Sequence, residues 1–172
     1  MFLYAVTEKM ERARWNRRLD ISLQRQEYDA MKDAQRRLMW HGMLLFLLGL
    51  LTGFAETSFA NVRMGLASHL EGVMNGIFLL ALGSAWMRLQ LSDGIERLAF
   101  WTTLYGTYVN WLVTTLAAVF GTKALSPLTG TSQGGRPWQE TVVTVGFLSV
   151  GIAIVMAAVL LLWGFRRGTQ KA

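Results

Sequence analysis

The sequence predicts an all-α integral membrane protein: a four-helix bundle in the bilayer, preceded by a cytoplasmic helical extension. Three observations predict it. Four apolar runs, at about 39–57, 65–87, 98–120 and 141–165, each come near the roughly 20 residues that cross a bilayer. Trp40, Trp86, Trp138 and Trp163 stand close to run ends, where an aromatic belt lies. Charged residues make up 16% of the 172, below the roughly 25% of soluble domains, and they cluster outside the runs.

Residues 1–38 are polar and basic, with Arg12, Arg14, Arg17, Arg18, Arg25, Arg36 and Arg37 interleaved with Glu8, Glu11, Glu27, Asp29 and Asp33. Trp15, Leu19 and Leu23 recur every fourth residue, so a helix with one sparse apolar stripe is expected, lying along the membrane surface. The first run carries His41 and Gly42. The second holds the most concentrated chemistry in the chain, Ser68 to Gly76. The third has an aromatic stripe of Trp101, Tyr105 and Tyr108 and a polar one of Thr103, Thr107, Asn110 and Thr114. A loop over 121–140 with Ser126-Pro127, Gly130, Gly134-Gly135 and Arg136-Pro137 precedes the fourth run, which reads as packing scaffold. Residues 167–172 form a short tail.

Charge sets the orientation. Of the 17 Lys and Arg, 14 fall on the extension, the loop after the second run and the C-terminus. Only Arg63, Lys123 and Arg136 fall on the other side, so both termini are expected in the cytoplasm. The basic balance is thereby assigned to topology and lipid contact, not to nucleic acid.

On a helical wheel the second run divides into two arcs. Leu70, Val73, Met74, Ile77 and Phe78 form a lipid-facing surface, and His69, Glu71, Asn75, Ser68, Gly72 and Gly76 lie opposite. Ionisable residues inside a membrane are costly and mark functional sites. The ladder of Ser68, Gly72 and Gly76 admits a close neighbour, either a second helix or a flat ligand. With no Cys, thiolate metal sites are excluded, and an imidazole site must use His41 or His69. At 1.5 Å per residue, Asn75 and Asn110 both lie about 15 Å below the outer boundary, and His41 lies about 20 Å or more from His69, so one protomer cannot bring both histidines to one metal. Two readings of His69, Glu71 and Asn75 stay open at this point: helix glue and reactive site.

The chain resembles bacterial hydroxylaminobenzene mutases from about residue 35 to 164. The resemblance rests on Arg-Met-Gly-Leu-Ala-Ser-His-Leu-Glu-Gly-Val-Met-Asn-Gly (63–76), Leu-Tyr-Gly-Thr-Tyr-Val-Asn-Trp (104–111) and Phe-Gly-Thr-Lys-Ala-Leu-Ser-Pro (120–127). More distantly it is similar to styrene oxide isomerase. The resemblance implies a homotrimer in the bacterial cytoplasmic membrane, with 39–166 as the catalytic domain and an aryl hydroxylamine rearranged to an aminophenol. The distant relative implies haem b whose ferric iron acts as a Lewis acid, its axial histidine mapping onto His69 and its Asn-Gly pair onto Asn75-Gly76. Gly72 and Gly76 are then expected beside the cofactor. Glu71 is expected to move a proton, Asn75 and Asn110 to orient substrate, and Tyr105, Tyr108, Trp101 or Trp111 to face a cationic intermediate. The competing classes are a haem-binding electron carrier or sensor and a non-enzymatic membrane scaffold or transporter. Aryl epoxide isomerisation is the alternative reaction.

Overall fold

The computed structural model describes residues 2–123 and 134–168. Ser126-Pro127 and Gly130 of the expected loop, and residues 169–172 of the tail, lie outside the described residues. Among the described residues there are four α-helices: α1 (Phe2–Ala55), α2 (Val62–Ala85), α3 (Asp93–Phe120) and α4 (Pro137–Gly168). Short 3-10 turns at Glu56–Ser58 and Trp86–Arg88 link α1 to α2 and α2 to α3.

The extension and the first apolar run are one helix. No Gly or Pro occurs before Gly42, so nothing breaks the hydrogen-bond ladder or turns the chain into the membrane plane. The charged half is supported locally, with Asp33 and Arg36 paired at 2.8 Å and the Lys32 ammonium 4.4 Å from the Tyr28 ring.

Each later helix is bounded by identifiable chemistry. Asn61 caps α2 by accepting from the Met64 N–H at 3.1 Å, while its own N–H donates to the Ala118 carbonyl at 3.0 Å, tying the start of α2 to the end of α3. Asp93 and Glu96 occupy the first turn of α3, and Glu96 accepts from the indole N–H of fully buried Trp86 at 2.8 Å. Helix α3 stops at Gly121, whose φ of 65° places it in the left-handed region that favours glycine. Pro137 opens α4.

Small residues set the packing. A Cβ on Gly72 would fall 2.5 Å from the Gly49 Cα, and one on Gly76 would fall 2.6 Å from the Phe46 nitrogen. Helices α1 and α2 therefore touch backbone to backbone, the association that works where lipid is as apolar as leucine. Between α3 and α4 the contacts are Gly146 against Val113 and Gly106 against Ile154. The outer face of α4 is apolar and open, with Ile152 71% and Leu162 73% exposed.

Among the described residues, three helical stretches are long and apolar enough to cross a membrane, within α1, at α2 and in α4. Helix α3 is not one of the three. Its threonines, tyrosines and Asn110 dilute its hydropathy, yet Thr103, Thr107 and Thr114 are buried and the polar stripe faces inward.

Candidate active site

Helix α2 presents the faces expected of it. Leu70, Met74, Ile77 and Phe78 are exposed, and Ser68, Gly72 and Gly76 are buried. The close neighbour on the small-residue ladder is α1: Gly72 and Gly76 meet Gly49, Phe46 and Gly42. Within one chain that space is filled by a helix and holds no slot for a flat ligand.

The polar arc resolves into two sites. His69 and Glu71 are two residues apart, hence about 200° apart around the helix, and they reach different neighbours. Glu71 faces α3. Its Oε2 accepts a close hydrogen bond from the Asn110 side-chain amide and a second from Asn75 at 3.4 Å. The Asn75 amide also donates to the Thr107 carbonyl at 3.3 Å. Asn75 sits one helical turn from Glu71, so α2 aligns two members of the cluster and α3 supplies the third. The equal depth expected for Asn75 and Asn110 is realised around one carboxylate.

His69 faces α1. Its Nδ1 lies 2.8 Å from the Gly49 carbonyl oxygen. A carbonyl only accepts, so this contact puts a proton on Nδ1, and in the neutral ring Nε2 is then the nitrogen with the lone pair. Among the described residues no three His, Asp or Glu side chains gather into a metal site. A lone imidazole with a free Nε2 does not cage a bare ion. It does suit a metal that brings its other ligands with it, as a porphyrin iron does.

Tyr108 is placed elsewhere. Its hydroxyl donates to the His41 backbone carbonyl at 3.2 Å and lies 3.1 Å from His41 Nδ1, so it clasps α1 to α3 away from the His69 end of α2. Tyr105 is 47% exposed and its hydroxyl lies 2.9 Å from Ser149 Oγ on α4. Of the five residues expected around the reaction, Glu71, Asn75 and Asn110 come together, and the two tyrosines do not join them. His41 is far from His69: the His69 ring lies against Gly49 and Gly53, eight to twelve residues further along α1, or about 12–18 Å.

Sequence reasoning named Trp111 and Ser68 but missed the belt they form with Thr52 and Thr115. Trp111 donates its indole N–H to Thr52 of α1 at 3.1 Å, and its ring packs against Gly72. Buried Ser68 donates to Thr115 at 2.5 Å, which in turn donates to the Trp111 carbonyl at 2.8 Å. The available signal was the spacing of Gly42, Gly49 and Gly53, which share one face of α1. At the opposite end, a cavity of about 1260 Å³ opens between residues 23–37 of α1 and the α2–α3 connection. There the Arg37 guanidinium sits 5.0 Å from the Phe100 ring and 5.7 Å from the Trp101 ring. None of Glu71, Asn75, Asn110 or His69 lines it.

A profile of styrene oxide isomerases matches residues 34–166, which hold every residue of both sites. The chain belongs to the styrene oxide isomerase family. It is an isomerase. It is 46% identical over 137 residues to hydroxylaminobenzene mutase HabB of Ectopseudomonas oleovorans, covering 79% of this chain and 84% of that protein. It is 41% identical over 134 residues to hydroxylaminobenzene mutase HabA of the same organism, covering 77% of this chain and 99% of that protein. No solved structure matches it. The first 33 residues of this isomerase lie outside the family match, and Leu23, Gln26, Glu27, Ala30, Met31 and Asp33 among them line the cavity beside the α2–α3 connection.

Proposed function

We propose that this isomerase rearranges aryl hydroxylamines to aminophenols inside the bilayer by intramolecular transfer of the hydroxyl group. The observation that carries the reading is the Glu71 carboxylate, held at membrane depth by amides from two helices. The names of the two relatives supply the substrate class.

The reaction breaks the N–O bond and forms a C–O bond on the ring. Nitrogen gains the electron pair that the ring carbon gives up, and the ring proton ends on nitrogen, so no outside oxidant or reductant is needed. Glu71 is suited to collect the ring proton and return it to nitrogen. Asn75 and Asn110 both commit their NH₂ groups to Glu71, which leaves their carbonyl oxygens to accept from the substrate N–H or O–H. Trp111, packed against Gly72 beside Glu71, offers a ring face to the cationic intermediate. Apolar surroundings keep bulk water from capturing that cation.

His69 is the residue that would hold haem b through Nε2, and the ferric iron, when bound, would supply Lewis acidity toward the departing oxygen. The same reading has four spans, α3 being the fourth, with both termini in the cytoplasm. The catalytic domain covers 39–166, the charged half of α1 forms the cytoplasmic extension, and the assembly is a homotrimer in the bacterial cytoplasmic membrane.

Turnover of phenylhydroxylamine in ¹⁸O-water tests the reaction. Intramolecular transfer yields unlabelled aminophenol by mass spectrometry, and label in the product removes that mechanism. No turnover of phenylhydroxylamine, with turnover of styrene oxide in a parallel assay, would move the assignment to epoxide isomerisation.

A further inference from the structure

Gly53 stands where the His69 ring must pass to reach α1. A Cβ added there would lie 2.7 Å from His69 Nδ1, 3.0 Å from Cε1 and 3.2 Å from Cγ, and these are the three nearest atoms. Nothing in the backbone of a neighbouring helix comes closer, so the missing side chain makes room first of all for the imidazole. In α1 the Gly49 carbonyl accepts from the N–H of residue 53, as helix geometry requires. That carbonyl has a second lone pair, and His69 Nδ1 reaches it at 2.8 Å. A side chain at position 53 would shield this second lone pair. Gly49 cannot be assigned the same single task, because its Cβ would strike the backbone nitrogen of Val73 at 2.5 Å and part the helices.

We propose that Gly53 is a positioning residue: it opens the Gly49 carbonyl to His69, which fixes the imidazole as the Nδ1–H tautomer and presents Nε2 as the ligand nitrogen. The assignment of Nε2 to a ligand rests on the proposed role of His69. The fixing of the tautomer does not. A hydrogen-bonded carbonyl on the far nitrogen is the usual way a ligating histidine is oriented, and losing such a partner typically costs 10- to 100-fold in metal affinity.

The test is nitrogen NMR on the detergent-solubilised, cofactor-free full chain labelled with ¹⁵N-histidine, the His69 signals being those lost in His69→Ala. Wild type is expected to show a single Nδ1–H tautomer, and Gly53→Ala a mixture containing the Nε2–H form. A single Nδ1–H tautomer in Gly53→Ala overturns the proposal. So does an Nε2–H tautomer in wild type, a result that needs no variant to fold. Titration with hemin gives the second readout, with a 10- to 100-fold weaker affinity expected for Gly53→Ala. Equal hemin affinities in the two proteins overturn the positioning role. A wild type that shows the Nδ1–H tautomer but takes up no hemin rejects the cofactor reading and leaves the tautomer assignment standing.

Discussion

Asn110 of α3 donates a close hydrogen bond to the Glu71 carboxylate of α2 across 39 positions of sequence. The pair joins two helices and also satisfies a carboxylate carried by a helix long and apolar enough to cross a membrane, where an unpaired one is costly. Asn75 completes the arrangement from the turn below.

Glu71→Gln keeps the shape and an acceptor oxygen while removing the transferable proton. Purified in detergent, it is expected to unfold at the wild-type temperature and to turn over phenylhydroxylamine about 10²-fold more slowly, the usual scale of a lost acid–base group. A wild-type rate would return Glu71 to the role of helix glue.

The two histidines should separate cleanly. His69→Ala is expected to purify without a Soret band and without activity. His41→Ala loses the link to the Tyr108 hydroxyl, worth about 1 kcal/mol of stability, but retains most of both. Spectra and rates of the two variants, measured side by side, check this, and the reverse pattern would reassign the ligand.

Gly76→Leu places a side chain where a Cβ alone would approach the Phe46 nitrogen to 2.6 Å. Forced overpacking costs about 1–3 kcal/mol or more, so the variant is expected to accumulate poorly and to melt lower. Gly151→Ala is the control, because no atom lies within 4 Å of its added Cβ, and its melting temperature should match wild type.

Topology can be read with single cysteines, because the chain contains none. Ser58, between α1 and α2, and Gln90, between α2 and α3, are exposed and lie at opposite ends of α2. Cysteines at the two positions should react with an impermeant maleimide from opposite sides of the membrane in intact cells. Labelling of both from one side would remove α2 as a span.

Much of this arrangement is legible in the chain, for reasons that differ by element. The exposed and buried faces of α2 follow from helical periodicity alone, and the meeting of Asn75 and Asn110 at Glu71 follows from depth counted along antiparallel helices. Helix starts are less legible. Apolar runs begin later than helices do, because Asn61, Asp93 and Pro137 start α2, α3 and α4 with polar or turn residues that hydropathy ignores. The sparse stripe of residues 1–38 suggests a separate surface helix, whereas the absence of any breaker before Gly42 makes the extension part of α1. The single reactive face fails for a tertiary reason. A helical wheel puts His69 and Glu71 at opposite edges of one polar arc, and it cannot tell that α1 claims one edge and α3 the other. Tyr105 and Tyr108 share a stripe in sequence, but α4 claims the first and His41 the second.

Glu140 carries a consequence for engineering. One of its oxygens, Oε1, accepts both the Lys123 N–H at 3.0 Å and the Gly135 N–H at 2.8 Å. The two ends of segment 124–133 are thereby pinned within the width of a carboxylate, at the point where α3 hands over to α4. Residues inserted between those ends add to a span whose ends are already held together, and for a flexible insertion each doubling of length costs only about 0.6 kcal/mol. The Glu140 clamp on Lys123 and Gly135 thus holds the register of α3 against α4 independently of the length of chain between them, which is what grafting a tag or a reporter between positions 123 and 135 would rely on.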